Sequence, residues 1–288
     1  MPYAPGGSSD VLARTLGQKL GESLGQSFTV DNRPGAGSMI GTDVAAKAAP
    51  DGYTIILSDM PHTINPSIHA KVPYDPVKDF APITVVGVSP MFLFANPSFE
   101  ARGIKELIAL ARSQPGRIAI ASGGTGATTH LAAELLQARA GIQLTHVPYK
   151  GAGPAIGDVV AGQVPLTFTS MATAAPHAKA GRLRILAVTS TQRLAAFPDV
   201  PTFEESGVPG MAIEHWWGVM APARTPGPVV NKLHAAIVEA VNSPEVRERF
   251  AALAVEPRTN TPGEFRALLE SDLKRWADVV RNAGIKPE

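Results

Sequence analysis

The stretch that most constrains this chain is Ser122-Gly123-Gly124-Thr125-Gly126-Ala127-Thr128-Thr129-His130. It lies between the apolar run Ile118-Ala119-Ile120-Ala121 and the helical pattern Leu131-Ala132-Ala133-Glu134-Leu135-Leu136. The order reads as a strand, a glycine-rich turn and a helix start. Glycine lets backbone turn tightly and approach a ligand, and the free amides of a helix's first turn, with the helix dipole, favour an anion. Thr125, Thr128 and Thr129 add hydroxyls without charge. A similar stretch opens the chain, where Pro5-Gly6-Gly7-Ser8-Ser9-Asp10 runs into the amphipathic pattern Val11, Leu12, Leu16, Leu20. Two such turns imply two lobes that present helix N-termini to one small anion.

Around these turns strands alternate with helices, the pattern of a parallel α/β architecture. Phe28-Thr29-Val30, Tyr53 to Ser58, Ile83 to Val88, Met91 to Ala95, Leu144 to Val147, Leu166 to Ser170, Leu183 to Val188 and Ile213 to Met220 read as strands. The second of them ends in a polar loop that includes Asp59, His62, Thr63 and Asn65. Pro148-Tyr149-Lys150-Gly151-Ala152-Gly153 reads as a loop, and Pro154 suits a first helical position. The C-terminal part is helical: Thr225-Pro226 and Ser243-Pro244 are helix starts, and Thr261-Pro262-Gly263-Glu264 is a capping box. These helices are expected to return to the first lobe and clad it.

Composition excludes several function classes. The 288 residues carry a net charge of +1, so no basic stripe invites nucleic acid. No apolar run approaches the roughly 18 residues of a membrane span, and direct membrane insertion is not expected. Cysteine is absent and the seven histidines show no zinc-type pairing, so neither a metal nor a cofactor is expected. Neither turn completes Gly-x-Gly-x-x-Gly, which argues against a nucleotide. A serine hydrolase would need Gly-x-Ser-x-Gly, and Gly37-Ser38-Met39-Ile40-Gly41 has the wrong spacing. The start is unusual: only Met1 to Ala4 precede the first turn, where a buried strand is expected, and no export signal is present. The first strand of the first lobe is therefore expected to be truncated.

Taken in order, five stretches resemble the Bug-type periplasmic solute receptors of tripartite tricarboxylate transporters. They are Pro5-Gly6-Gly7-Ser8-Ser9-Asp10, Asn32-Arg33-Pro34-Gly35-Ala36-Gly37, Gly124-Thr125-Gly126 with Thr129-His130-Leu131, Val147 to Ala155, and Pro198-Asp199-Val200-Pro201-Thr202-Phe203. The resemblance spans essentially the whole chain. It implies a two-lobed Venus-flytrap, periplasmic-binding-protein fold with two parallel-rich sheets and a hinge. It also implies periplasmic localisation and a non-catalytic role: a monomer that captures a small carboxylate in the interlobe cleft and delivers it to the membrane subunits of a tripartite transporter. A ligand sensor for a signalling partner would share the same site; an α/β hydrolytic enzyme is the third reading. The expected lobes are residues 1–95 with 221–288, and residues 96–220.

Ligand contacts are expected from both turns, through amides and hydroxyls. From the first come Gly6, Gly7, Ser8, Ser9 and Asp10, with Ser58 and Thr63 from the strand-end loop. From the second come Gly124, Thr125, Gly126, Thr128, Thr129 and His130, joined by Tyr149, Lys150, Gly151 and Ser170. The plainer readings are that Asp10 complements its helix dipole and that Lys150 is a surface lysine. His130 reads as a helix-start hydrogen-bonding residue rather than a base, with no carboxylate nearby in sequence to orient it. Trp216-Trp217 is expected to pack at the lobe junction, with one indole as a possible cleft wall.

Overall fold

The computed structural model describes residues 1–3, 5, 8–149 and 151–287. Helices and strands alternate from α1 (Ser8–Leu24) and α2 (Met39–Ala46) through β1 (Ile56–Asp59), α3 (Pro61–Ile68), β2 (Phe80–Ala95) and α4 (Ile104–Ser113). The middle of the chain holds β3 (Ala119–Ser122), α5 (Thr128–Ala140), β4 (Thr145–Pro148), α6 (Ala152–Val160), β5 (Leu166–Ser170), α7 (Met171–Lys179) and β6 (Arg184–Val188). The last part holds β7 (Glu214–Pro222), α8 (Gly227–Asn242), α9 (Pro244–Ala252), β8 (Glu256–Pro257) and α10 (Pro262–Asn282). Two compact units result. The first comprises Met1–Ser89, His215–Asp278 and Lys286–Glu288, and the second Pro90–Glu214 and Val279–Ile285.

In the first unit β1 pairs antiparallel with β7, setting Asp59 opposite Trp217, and β8 pairs antiparallel with β2 at Gly87 and Val88. The C-terminal helices do clad this unit. Leu12, Leu16 and Leu20 recur on one face of α1 and meet Leu233, Ile237 and Val241 of α8 and Phe250 of α9 in one apolar core. Each fully buried side chain of this size contributes roughly 1.5–3 kcal/mol. The caps at the later helices follow their residues: Ser243 accepts from the Val246 amide, the Thr261 amide donates to Glu264 Oε2 at 2.8 Å, and the Glu264 amide donates to Thr261 Oγ1 at 3.2 Å. Thr225 does not cap α8, which starts at Gly227 behind Pro226.

Phe28-Thr29-Val30 is not a strand. The backbone there is flanked by Met1, which donates to the Asp31 carbonyl at 2.9 Å and accepts from the Arg33 amide at 2.8 Å. Bonds bracketing Asn32 in this way are one rung of a parallel ladder. Beyond that rung lies a cavity of about 680 Å³ whose walls include Leu16, Leu20, Phe28, Ile55, Leu57 and Val219.

In the second unit β4, β3 and β5 are mutually parallel, with Ser122 opposite Pro148 and Ala121 opposite Thr167. Alternation predicts parallel pairing, and this trio shows it. The neighbours of β2 differ, because β5 and β6 run antiparallel to its last residues, Met91 to Ala95. Ile83–Val88 and Met91–Ala95 are parts of the one long strand β2, which carries the chain from the first unit into the second and so meets strands running the other way. The sheets are therefore mixed, not parallel-rich.

Candidate functional site

Three parallel strands of the second unit each end at a helix start: β3 leads to α5, β4 to α6 and β5 to α7. Their polar turns accordingly lie along one edge of the sheet. The first two turns are stitched backbone to backbone: Tyr149 donates its amide to the Ser122 carbonyl, and Gly151 to the Gly123 carbonyl, both at 3.0 Å. This closeness explains the glycines. Gly124 has φ +131°, and a Cβ there would stand 3.2 Å from the Tyr149 carbonyl oxygen. Gly151, at φ +109°, precedes α6 in a conformation open to glycine.

Most glycine amides of the turn are spent on the turn itself. Gly123 donates to Thr129 Oγ1 at 2.9 Å, Gly124 to Ser122 Oγ at 3.1 Å and Gly126 to His130 Nδ1 at 3.0 Å. The amides of Thr125, Thr128 and Thr129 have no hydrogen-bond partner among the described residues. Thr125 is exposed, and Thr128 and Thr129 are partly buried. The anion-facing donors of this turn are thus the threonine amides, with the helix dipole of α5 behind them. Ser170, partly buried at the start of α7, shares its hydroxyl with Thr173 at 3.2 Å. Tyr149 donates its hydroxyl to Asp158 at 2.6 Å, which secures the loop to α6 and raises the phenol pKa.

His130 is buried, and sequence reasoning missed its surroundings. Glu134, one helical turn on, stands 3.4 Å from His130 Nε2, so a carboxylate does lie nearby in sequence. His146, on β4, stacks on the His130 ring with centroids 3.7 Å apart and planes 13° apart. Its Nε2 lies 2.6 Å from Ser122 Oγ.

The first unit gathers a second polar cluster. Asp59, buried at the end of β1, accepts from the Tyr3 hydroxyl and from Ser9 Oγ at 3.2 Å, and stands 3.5 Å from His215 Nε2. Burial, reinforced by Asp59, pushes the Tyr3 phenol well above its usual range, so it serves as a neutral donor. Trp217 donates its indole N–H to Ser9 Oγ at 2.8 Å. Trp216 instead packs edge-on against Phe265 and donates to Asp272 at 2.7 Å. Asp59 and His215 were not among the expected contacts; the β1–β7 register brings them together, and no local spacing signals that.

The remaining expected contacts divide by burial. Ser8 is partly buried at the first turn of α1. Asp10 is buried, accepting from Asn32 Nδ2 and Arg14 Nε at 2.9 Å each, so it ties the first turn to the Asn32–Gly37 stretch. Ser58 and Thr63 are fully buried, and Thr63 donates to the Met60 carbonyl at 3.0 Å. Ser58 lies on β1, which is buried along its whole length, and Thr63 on the buried face of α3. Gly6, Gly7 and Lys150 lie outside the described residues. The stretch Asn32–Gly37 has a structural role of its own: Ala36 and Ser38 adopt φ +47° and +81°, and Asn65 donates to the Gly37 carbonyl at 2.7 Å. Such left-handed non-glycine residues persist only where surrounding contacts over-determine them.

Comparison with known proteins is consistent across sequence and structure. The family profile described as the tripartite tricarboxylate transporter family receptor matches residues 12–285. Protein BugT of Bordetella pertussis is 40% identical over 288 residues, covering 99% of this chain and 88% of that protein. The structure of R. palustris Rpa4515 with adipate superposes with a TM-score of 0.86 at 33% identity, over 100% of this chain and 96% of that one. MatC from Rhodopseudomonas palustris, with bound malate, gives 0.81 at 31% identity, over 97% and 96%.

Proposed function

Because this chain belongs to the tripartite tricarboxylate transporter receptor family, Bug-type, we propose that it is a periplasmic receptor that captures a small carboxylate and hands it to the membrane subunits of such a transporter. The observation that carries the carboxylate is the edge of β4, β3 and β5, where the Thr125, Thr128 and Thr129 amides stand uncommitted at the start of α5. A carboxylate accepting several N–H groups forms charge-assisted bonds without a cation, and the run Ser122 to Thr129 contains neither Lys nor Arg. The hydroxyls of Thr125, Thr128 and Ser170, with Tyr149 and Gly151 beside them, complete the ligand set of this edge. Relatives that hold adipate and malate support a dicarboxylate as the first class to try. The receptor is non-catalytic in this reading and turns over no ester.

The test is a thermal-shift panel of mono-, di- and tricarboxylates. A ligand at about a hundred times its dissociation constant adds roughly 2.7 kcal/mol of stability, a shift easily read. At least one dicarboxylate is expected to raise the melting temperature. No shift with any acid would contradict the reading. Co-purification with the membrane subunits, as against a sensor kinase, tests the delivery step.

A further inference from the structure

We propose that His130 and His146 are positioning residues: a neutral, stacked pair that sets the shape of the turn from Ser122 to Gly126, with His130 holding the Gly126 amide instead of touching the solute. The inference rests on the reading of that turn as carboxylate-binding, and it assigns work to two side chains that reading leaves unused.

The hydrogen bonds fix the protons. Gly126 donates to His130 Nδ1 at 3.0 Å, so that nitrogen carries a lone pair and the ring proton sits on Nε2, 3.4 Å from Glu134 Oε1. On the face of this ring lies His146, and its Nε2 meets Ser122 Oγ at 2.6 Å. Ser122 Oγ accepts in turn from the Gly124 amide at 3.1 Å. Both ends of the turn are therefore tied to one ring pair, Ser122 through His146 and Gly126 through His130. A proton on His130 Nδ1 would set an N–H against the Gly126 N–H, and two cationic rings with centroids 3.7 Å apart would repel.

Among the described residues the charges around the pair are few. Helix α5 packs on β3, β4 and β5. Strands β3 and β5 carry no ionisable side chain, and β4 carries His146 alone. Glu134 is the carboxylate that faces the pair from α5 itself. Burial, with the neighbouring His130, pushes the His146 pKa down to about 4, which agrees with a ring kept neutral.

Two substitutions separate positioning from bulk packing. His130→Asn keeps an acceptor near the place of Nδ1, whereas His130→Leu removes it. With malate and adipate as probes at neutral pH, His130→Leu is expected to lose at least about tenfold in affinity, equivalent to about 1.4 kcal/mol, while His130→Asn stays close to wild type. Equal affinities in all three proteins would overturn the proposal. Nitrogen NMR supplies a readout that needs no ligand: His130 is expected as the Nε2–H tautomer, and the Gly126 amide resonance is expected to move in His130→Leu but not in His130→Asn. An Nδ1–H tautomer, or an unmoved Gly126 resonance in the folded Leu variant, would equally overturn it. If the wild type binds neither acid, the carboxylate reading fails while the tautomer and the amide resonance still decide the role of the pair.

Discussion

Trp217 donates its indole N–H to Ser9 Oγ at 2.8 Å, joining strand β7 to the first turn of α1 across 208 residues of sequence. The same hydroxyl reaches Asp59 at 3.2 Å, so both its donor and an acceptor are used within the protein. Ser9 therefore acts first on stability. Ser9→Ala is predicted to lower the unfolding free energy by about 1–3 kcal/mol, the range for leaving part-buried polar groups unpaired. Urea titration reads this directly, and an unchanged midpoint would contradict it.

Gly124 makes the complementary case, because its conformation serves the turn. Its φ of +131° and the Tyr149 oxygen 3.2 Å from a prospective Cβ leave no relaxed place for a side chain. Gly124→Ala is predicted to cost about 1–3 kcal/mol of local strain and to shift the loop at Tyr149 with it. Calorimetric titration with malate and adipate should then show weakened binding in a protein that still melts cooperatively. Wild-type affinity in the variant would contradict the close packing of the two loops as a requirement for binding.

Acid should weaken the fold through His62. This ring is fully buried, with Tyr74 stacked at 5.7 Å and Phe80 edge-on at 5.0 Å, and Nε2 lies 2.8 Å from the Pro76 carbonyl. Burial lowers its pKa from the ordinary 6.5 to about 4. The unfolded chain therefore takes up the proton first, and stability falls as pH drops through the window from about 6.5 to about 4. The loss in that window is up to roughly 3 kcal/mol. His62→Gln keeps a donor for Pro76 without the titration. Its stability is predicted to vary less between pH 7 and 4.5 than that of the wild type, and equal slopes would contradict the assignment.

Much of this was legible in local sequence. The run Ile118 to Leu136 is a strand, a turn and a helix, and Thr261 with Glu264 forms the capping box of α10, because short-range backbone geometry decides both. Membership of the receptor family was legible in the order of the five motifs. Less legible was which amides a turn keeps for itself. Gly126 looks like an anion donor by composition, but a side chain four residues on claims its N–H. Glu134 stood one helical turn from His130 in plain view, and the i, i+4 spacing was the signal that would have found it. Asp59 and His215 meet through strand register, which no window of sequence contains. Phe28-Thr29-Val30 has strand composition without a strand, since a ladder needs partners on its edge as well as propensity.

The cavity beside that segment allows an engineering prediction. Its walls combine apolar side chains such as Leu16, Leu20 and Val219 with polar ones such as Asp31, Arg33 and Lys232, and Met1 already makes one parallel rung at Asn32. Placing about five alternating β-branched residues directly ahead of Met1 should extend that rung into a strand between Phe28–Arg33 and β1. A single buried Val or Ile would add roughly 1.5–3 kcal/mol, so a clear rise in melting temperature is predicted. A polar sequence of equal length in the same place should give no rise, and equal melting of the two extended proteins would contradict a strand-accepting groove.

The most direct measurement is a backbone amide titration by NMR, adding malate and adipate in turn to the isotope-labelled protein. The predicted result is saturable movement of the Thr125, Thr128 and Thr129 amide resonances, larger than at Gly123 and Gly124, whose N–H groups are engaged internally. Saturable binding that leaves those three threonine amides unmoved would contradict the placement of the carboxylate at the start of α5.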